Sequence, residues 1–116
     1  MNGEGKVTEV HTFDSWKESI KAANESKKLV VINFSSRSCR YSRLFAPSYE
    51  YMADQFRNVI FFMIEVDEFG VVTGEFEVDT TPTSVFMKEG QIIDRVIGAN
   101  QQALHETLLK HGGEVA

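Results

Sequence analysis

The chain has 116 residues, of which 42% are hydrophobic, and a formal net charge of -5. This length and apolar content suffice for one domain with a hydrophobic core and are too small for two. The acidic balance argues against a nucleic-acid-binding surface, which normally has a basic excess on one face. No apolar run approaches 18 residues and no charged-then-apolar leader precedes the first element, so we expect neither a membrane span nor a secretion signal.

Cysteine usage points to a reducing compartment. Cys39 is the one cysteine of the sequence, which excludes an internal disulfide and predicts a cytoplasmic protein. It leaves a disulfide between two copies of an otherwise monomeric chain open. The three histidines are dispersed, and with a single cysteine they give no metal-ligand spacing, so no metal site is expected.

The first third of the chain predicts a strand and a helix. Residues 1–6 are polar and contain glycine, which indicates a flexible lead-in, and residues 7–11 alternate weakly, as a short edge strand does. Thr12 or Asp14 can cap the helix that follows. Its apolar face is predicted to consist of Phe13, Trp16, Ile20 and Ala23.

Cys39 lies between a buried strand and a long helix. Residues 29–34 are apolar and β-branched, which favours a strand covered on both faces. The helix continues to about Phe56, with a bend expected at Pro47. Its apolar stripe is Phe45, Tyr49, Met52, Ala53 and Phe56.

The position of Cys39 near a helix start suggests a reactive thiol. Free N–H groups and the positive end of the helix dipole stabilise a thiolate, and Arg37, Arg40 and Arg43 add positive charge. The alternative is an inert, buried cysteine that acts as a small hydrophobe. Local sequence leaves both interpretations open.

The second half predicts a strand, a short helix, a hairpin and a final helix. The apolar run at residues 59–66 is long enough for a central strand, and Pro82 forces an extended conformation on the residue before it. Asn100 can cap the last helix, which Gly112 and Gly113 end before a flexible tail at residues 113–116. The remaining segments are a short helix at 69–76 and a hairpin of 84–88 and 91–97 around Glu89-Gly90.

The order of these elements predicts an α/β fold. Parallel crossovers come first and an antiparallel hairpin last, which gives a central mixed β-sheet with helices on both faces. Functional sites in such sheets form at the carboxyl ends of strands, and Cys39 falls at such an end.

Three stretches of the chain, residues 58–68, 80–88 and 91–100, resemble the thioredoxin family, most closely its plant cytosolic h type. The resemblance extends from about Phe13 to His111 and implies the thioredoxin fold. The catalytic motif of that family, Trp-Cys-Gly-Pro-Cys, is matched here by Ser38-Cys39-Arg40-Tyr41-Ser42.

By this resemblance, Cys39 matches the nucleophile that attacks a substrate disulfide, and Ser42 stands where the family has its resolving cysteine. A hydroxyl cannot attack sulfur to release the substrate, so the dithiol cycle cannot be completed within one molecule. Asn33 and Met63 stand where the family has a buried aspartate and many members have a lysine. Both substitutions fit the loss of a resolving thiol whose proton that pair would manage.

The resemblance also implies a substrate groove. Pro82 matches the family's cis-proline, with Thr81 offering backbone hydrogen bonds to an extended substrate, and Gly98 and Ala99 match the opposite wall. Ser38, Arg40 and Tyr41 make the surface around the nucleophile more polar, more basic and bulkier than in a thioredoxin.

We therefore expect a monothiol disulfide oxidoreductase without a resident cofactor. It would form mixed disulfides with protein substrates, and glutathione or a second substrate thiol would release them, which favours isomerisation over reduction. The alternative is a catalytically inactive protein-binding module with the same fold. A third hypothesis follows from the Cys-x-x-Ser form of monothiol glutaredoxins, which hold an iron–sulfur cluster with glutathione; the three arginines would meet glutathione carboxylates.

Overall fold

The computed structural model describes residues 5–116. The first four residues of the predicted lead-in, 1–4, lie outside this part of the chain. Nine elements follow one another: β1 (Val7–Glu9), α1 (Phe13–Glu25), β2 (Val30–Ser35), α2 (Arg40–Gln55), β3 (Ile60–Glu65), α3 (Gly70–Glu75), β4 (Thr83–Lys88), β5 (Gln91–Ile97) and α4 (Gln101–Lys110).

The five strands form one mixed sheet in the order β1-β3-β2-β4-β5. β3 is parallel to both β1 and β2, whereas β4 is antiparallel to β2 and to β5. The α/β architecture with parallel crossovers first and a hairpin last is confirmed. Because β2 is the central strand of the sheet, the loop that follows it lies in the middle of the edge formed by the strand ends.

Alternation along β2 explains why both faces of the sheet are covered. Val30, Ile32 and Phe34 face a core cluster that includes α1 and α3, and Val31 faces the opposite cluster with α2 and α4. All four side chains are fully buried. A strand buried on both faces is rich in apolar residues, which is the pattern that the sequence shows; the exception is Asn33, which is buried and hydrogen-bonded to Ser84.

Side-chain caps fix where two helices begin. The Thr12 hydroxyl accepts the Ser15 N–H at 3.1 Å at the start of α1, so Thr12 and not Asp14 is the cap. Asn100 caps α4 by accepting the Ala103 N–H at 2.9 Å. These bonds satisfy backbone donors that the first helical turn leaves free.

Some predicted boundaries shift by one or two residues. β1 ends at Glu9, not at residue 11, and α3 covers Gly70–Glu75 within the predicted 69–76. α2 continues through Pro47. Within residues 5–116 no helix combines the length and hydrophobicity needed to cross a membrane.

Backbone hydrogen bonds fasten the segment after α4. The Gly113 N–H donates to the Leu108 carbonyl at 2.8 Å, and the Ala116 N–H donates to the Gln55 carbonyl at 2.8 Å. The Glu114 N–H donates to Asn58 Oδ1 at 2.9 Å. The predicted tail therefore lies against the turn between α2 and β3, while its flexibility stays a prediction.

Candidate active site

Cys39 is the residue that caps the N-terminus of α2. Its N–H donates to the Ser36 carbonyl at 3.0 Å, and its own carbonyl accepts the Arg43 N–H at 3.1 Å. The side chain is half-buried, not enclosed in the core. The structure therefore presents the thiol at the end of β2 and the start of a helix, where the sequence analysis predicted it.

The Thr81-Pro82 segment lies directly beside the thiol. The peptide bond between these two residues is cis, and Cys39 Sγ lies 3.4 Å from the Thr81 carbonyl oxygen. The Gly98 N–H donates to the Pro82 carbonyl at 2.8 Å. Folding thus brings four predicted site residues together, although they are widely separated along the chain.

The pKa of the Cys39 thiol is lowered to about 7. The largest cause is a hydrogen bond with the Thr81 side chain, followed by the backbone N–H and then the hydroxyl of Ser42; burial of the sulfur opposes them. These causes are hydrogen bonds and not arginine charges, which is a correction to the emphasis of the sequence analysis. Near pH 7 about half of the thiol is therefore ionised.

The protonated and ionised forms of Cys39 use different partners. Only the thiol can donate to the Thr81 carbonyl, and in that form Cys39 makes no side-chain capping hydrogen bond. The thiolate instead accepts from the Ser42 N–H at the third helical position. The contact with the Thr81 carbonyl favours the protonated thiol, whereas the hydrogen bonds from the Thr81 hydroxyl and from the N–H and hydroxyl of Ser42 favour the thiolate. The second group of contacts is larger, so the pKa of Cys39 is lowered.

Ser42 occupies the place opposite the thiol and is buried, with 2% of its surface exposed. Its Oγ accepts the Ser36 N–H at 3.2 Å. The hydroxyl therefore supports the loop before Cys39. It supplies no second sulfur, and the sequence contains no other cysteine.

Neutral side chains stand at the two positions where the family resemblance implies an ionisable pair. Asn33 is buried and donates through Nδ2 to Ser84 Oγ at 3.0 Å. Met63 is its partner in the register between β2 and β3. Because neither side chain titrates, this pair cannot hold or move a proton.

A shallow groove of about 530 Å³ lies beside the thiol. Tyr41 is 66% exposed, so it forms one border and does not fill the groove. Arg40, which follows Cys39 directly, and Ala99 are both exposed, and neither is part of the lining. The lining is Ser36, Ser38, Cys39, Tyr41, Val66, Thr73, Val78, Asp79, Thr80 and Thr81.

Two glutamates that the sequence analysis missed hold the loop before Cys39. Glu65 Oε1 accepts the Arg37 N–H at 2.9 Å, and Glu68 Oε2 lies 3.1 Å from Arg37 Nη1. The carboxylate of Glu68, with a contribution from Glu65, raises the pKa of Arg37. The sequence carries no signal for this role, because it depends on the strand register that places Glu65, at the end of β3, opposite Ser35.

Within the described residues no group of three or more histidine, cysteine, aspartate or glutamate side chains could hold a metal ion. His11 lies between β1 and α1, whereas His105 lies in α4 and His111 is the C-cap of that helix.

Comparisons with known proteins agree with this geometry. A family model described as thioredoxin matches residues 7–110. Thioredoxin H5 of Arabidopsis thaliana is 53% identical over 116 residues, which cover 100% of this chain and 98% of that protein. Thioredoxin H3 of the same plant is 44% identical over the same shares of both chains.

A solved structure shows the same fold. The crystal structure of thioredoxin NaTrxh from Nicotiana alata has a TM-score of 0.89 at 30% identity and covers 91% of this chain and 92% of its own. The resemblance to thioredoxins, including plant h-type members, is confirmed. The site has a half-ionised cysteine at a helix start and the Thr81-Pro82 segment beside it. Because the thioredoxin family model and these relatives match nearly the whole chain, the chain belongs to the thioredoxin family.

Proposed function

We propose that this thioredoxin-family protein is a monothiol disulfide oxidoreductase that forms mixed disulfides with protein substrates through Cys39. The observation that carries the proposal is the sulfur of Cys39, 3.4 Å from the Thr81 carbonyl, with a serine three residues later. A half-ionised thiol at neutral pH supplies the nucleophile. The buried Ser42 hydroxyl cannot serve as the resolving group.

The first step exchanges one disulfide for another. The Cys39 thiolate attacks one sulfur of a substrate disulfide, so the substrate S–S bond breaks and a bond from Cys39 to that sulfur forms. The second substrate sulfur leaves as a thiolate and takes a proton from water. No electrons are gained or lost overall, because one disulfide is consumed and one is made.

Release then depends on a thiol from outside the protein. Another substrate cysteine can attack the mixed disulfide, which returns the Cys39 thiolate and leaves a rearranged substrate disulfide without net reduction. Alternatively, one glutathione thiolate attacks Cys39 Sγ and frees the reduced substrate, and a second glutathione regenerates Cys39 with oxidised glutathione as product. Glutathione is thus a co-reductant and not a resident cofactor.

The groove would hold an extended substrate segment. By the family resemblance, the Thr81 backbone and Pro82 form one wall, and Gly98 and Ala99 form the other. The bond between Gly98 and Pro82 keeps these two walls in a fixed relation. Ser38, Arg40 and Tyr41 contribute the polar, basic and aromatic rim that would select partners different from those of a dithiol thioredoxin.

The single thiol also bears on assembly and compartment. We propose a cytoplasmic monomer, because glutathione keeps a thiol with a lowered pKa reduced and available there. Without glutathione, two copies can join through a Cys39–Cys39 disulfide, which consumes an oxidant such as dissolved oxygen. Non-reducing electrophoresis with and without glutathione measures this dimer.

Paired activity assays test the proposal. Insulin reduction and the reactivation of a scrambled disulfide protein are each measured with and without glutathione. We expect isomerisation without an added reductant and insulin reduction only with glutathione, and Cys39→Ser should abolish both. Ser42→Cys supplies the missing sulfur and should raise insulin reduction in the presence of a dithiol reductant.

Two results would contradict the proposal. One is insulin reduction by the unaltered protein at the rate of a dithiol thioredoxin. The other is capture of substrate proteins that Cys39→Ser leaves unchanged under non-reducing conditions, which would favour a binding module that uses the groove but not the thiol.

A further inference from the structure

The loop between β2 and α2 has no regular secondary structure, yet three side chains satisfy most of its backbone N–H groups. The Ser36 N–H donates to Ser42 Oγ at 3.2 Å, and the Ser38 N–H donates to Ser36 Oγ at 3.3 Å. The Arg37 N–H donates to Glu65 Oε1 at 2.9 Å. Of these acceptors, Glu65 is the one that comes from a different element of the sheet.

Arg37 is held at three points. Besides the bond from its N–H to Glu65, its carbonyl accepts Arg43 Nη1 at 2.8 Å, and its guanidinium pairs with Glu68 at 3.1 Å. The first two contacts fix the backbone on both sides of the residue. Arg37 precedes Cys39 by two residues, so the position of the Arg37 backbone determines where Cys39 and its thiol lie.

Glu65 extends the strand pairing into the loop. The parallel register of β2 and β3 ends at Ser35 opposite Glu65, followed by one further bond from the Val66 N–H to the Ser35 carbonyl at 2.9 Å. Beyond this point Arg37 has left the sheet. The Glu65 carboxylate reaches across the gap, and its Oε2 lies 3.5 Å from the Asp67 N–H.

We propose that Glu65 is a positioning residue that acts through the Arg37 backbone to hold Cys39 beside Thr81. This inference rests on the proposed function of Cys39 and assigns to Glu65 a role that does not require contact with the substrate. The hydrogen bonds to the sulfur need a fixed loop, because their strength depends on donor–acceptor distance and angle, and displacement of Cys39 away from Thr81 weakens the largest of them.

The positioning role of Glu65 can be distinguished from the direct effect of its negative charge on the Cys39 pKa. Removal of a negative charge would favour the Cys39 thiolate, whereas release of the loop would weaken its hydrogen bonds and disfavour it. The two effects therefore have opposite signs. Among the described residues, the other titratable or charged side chains around the loop and groove are Glu9, His11, Arg37, Arg40, Tyr41, Arg43, Glu50, Asp67, Glu68 and Asp79.

Two variants of Glu65 separate the effect of its side-chain length from the effect of its charge. Glu65→Asp keeps the charge but shortens the side chain, and Glu65→Gln keeps the length and one acceptor oxygen but removes the charge. Glu50→Gln is the matched control, because Glu50 and Glu65 both line a second cavity, which also borders Ser36 and Arg43, and Glu50 is exposed on α2. The measurement is the rate of Cys39 alkylation by iodoacetamide at pH 7 divided by the rate at pH 9.5, which cancels differences in intrinsic nucleophilicity.

We expect Glu65→Asp to lower this ratio by about fivefold, as a one-unit rise in the thiol pKa from about 7 would. Glu65→Gln and Glu50→Gln should stay within about twofold of the unaltered protein, because a half-ionised thiol can gain no more than that. Thermal unfolding of each variant shows that it is folded.

Three outcomes would overturn the inference. An unchanged ratio for Glu65→Asp would show that the reach of the side chain does not matter, and an equal fall for Glu65→Gln would show that its acceptor oxygen does not hold the loop. If the unaltered protein itself titrated as an ordinary thiol, both the proposed function and this inference would fail. The first two results leave the proposed function intact.

Discussion

The hydroxyl of Thr81 offers the most direct test of how the fold activates Cys39. Thr81→Val removes this hydroxyl and keeps the β-branched shape and the backbone carbonyl that lies 3.4 Å from the sulfur. Because the Thr81 side chain is the largest cause that lowers the Cys39 pKa, the variant should titrate higher than about 7. We expect a rise of about one pKa unit, as for the loss of one hydrogen bond to the charged form.

The size of the kinetic effect follows from two opposing factors. At pH 7 the thiolate fraction falls from about one half to about one tenth, which is a loss of about fivefold. The more basic thiolate is intrinsically more nucleophilic by about threefold per unit. The net rate at pH 7 therefore falls by less than about twofold, so the midpoint of the pH profile and not one rate is the informative quantity.

The assay is the rate of Cys39 alkylation by iodoacetamide between about pH 5 and pH 10, followed by mass spectrometry. Thr80→Val is the matched control, because Thr80 lines the same groove and is the adjacent threonine. An unchanged midpoint in Thr81→Val would refute the reasoning, and so would an equal shift in the control. Either result would mean that the Thr81 hydroxyl does not stabilise the thiolate.

Three further predictions concern stability. Tyr49→Phe removes a buried hydroxyl that lies 2.7 and 3.2 Å from two strand carbonyls, and should cost about 1–3 kcal/mol in urea unfolding; an unchanged midpoint would contradict this. Gly113→Ala places a Cβ 2.8 Å from the Leu108 carbonyl oxygen and should cost about 1–3 kcal/mol by thermal unfolding, whereas a neutral result would mean that the tail moves aside. A hydrogen bond to His111 lowers the Asp94 pKa, so its stabilisation is present above the ordinary carboxyl range and is lost as pH falls through the lowered pKa. Asp94→Asn should therefore be less stable than the unaltered protein above the ordinary carboxyl pKa, and the difference should shrink as pH falls through the lowered Asp94 pKa; urea unfolding at a series of pH values measures it, and an undiminished difference in acid would contradict this.

The regular elements were predictable because their signals are local. The continuous apolar run before Cys39 predicted a strand buried on both faces, and β2 is such a strand. The stripe from Phe45 to Phe56 predicted the long helix, and these side chains pack in one core cluster. Period and composition reveal such elements since each depends on neighbours within a few residues.

The contacts of the loop that positions the thiol were less predictable from the sequence. Arginine charges were predicted to lower the Cys39 pKa, but the causes in the structure are hydrogen bonds from Thr81 and Ser42. Arg37 is instead paired with Glu68. The role of Glu65 was not predictable, because a glutamate at the end of a strand is typical of any solvent-exposed turn. Its contact with the Arg37 backbone depends on the register between two strands, which single-sequence patterns do not specify.

The sequence by itself determined the alternation of strands and helices and the limit of one thiol with a serine three residues later. The family resemblance implied that Thr81, 42 residues further along, borders the same groove as Cys39, but the tertiary structure decided that it lies 3.4 Å from the sulfur and lowers the Cys39 pKa. The physical reason is that sequence composition sets which groups exist, whereas a pKa depends on the donors and the dielectric within a few ångströms. Those neighbours come from the packing of distant elements, and so the chemistry of this cysteine is a property of the fold.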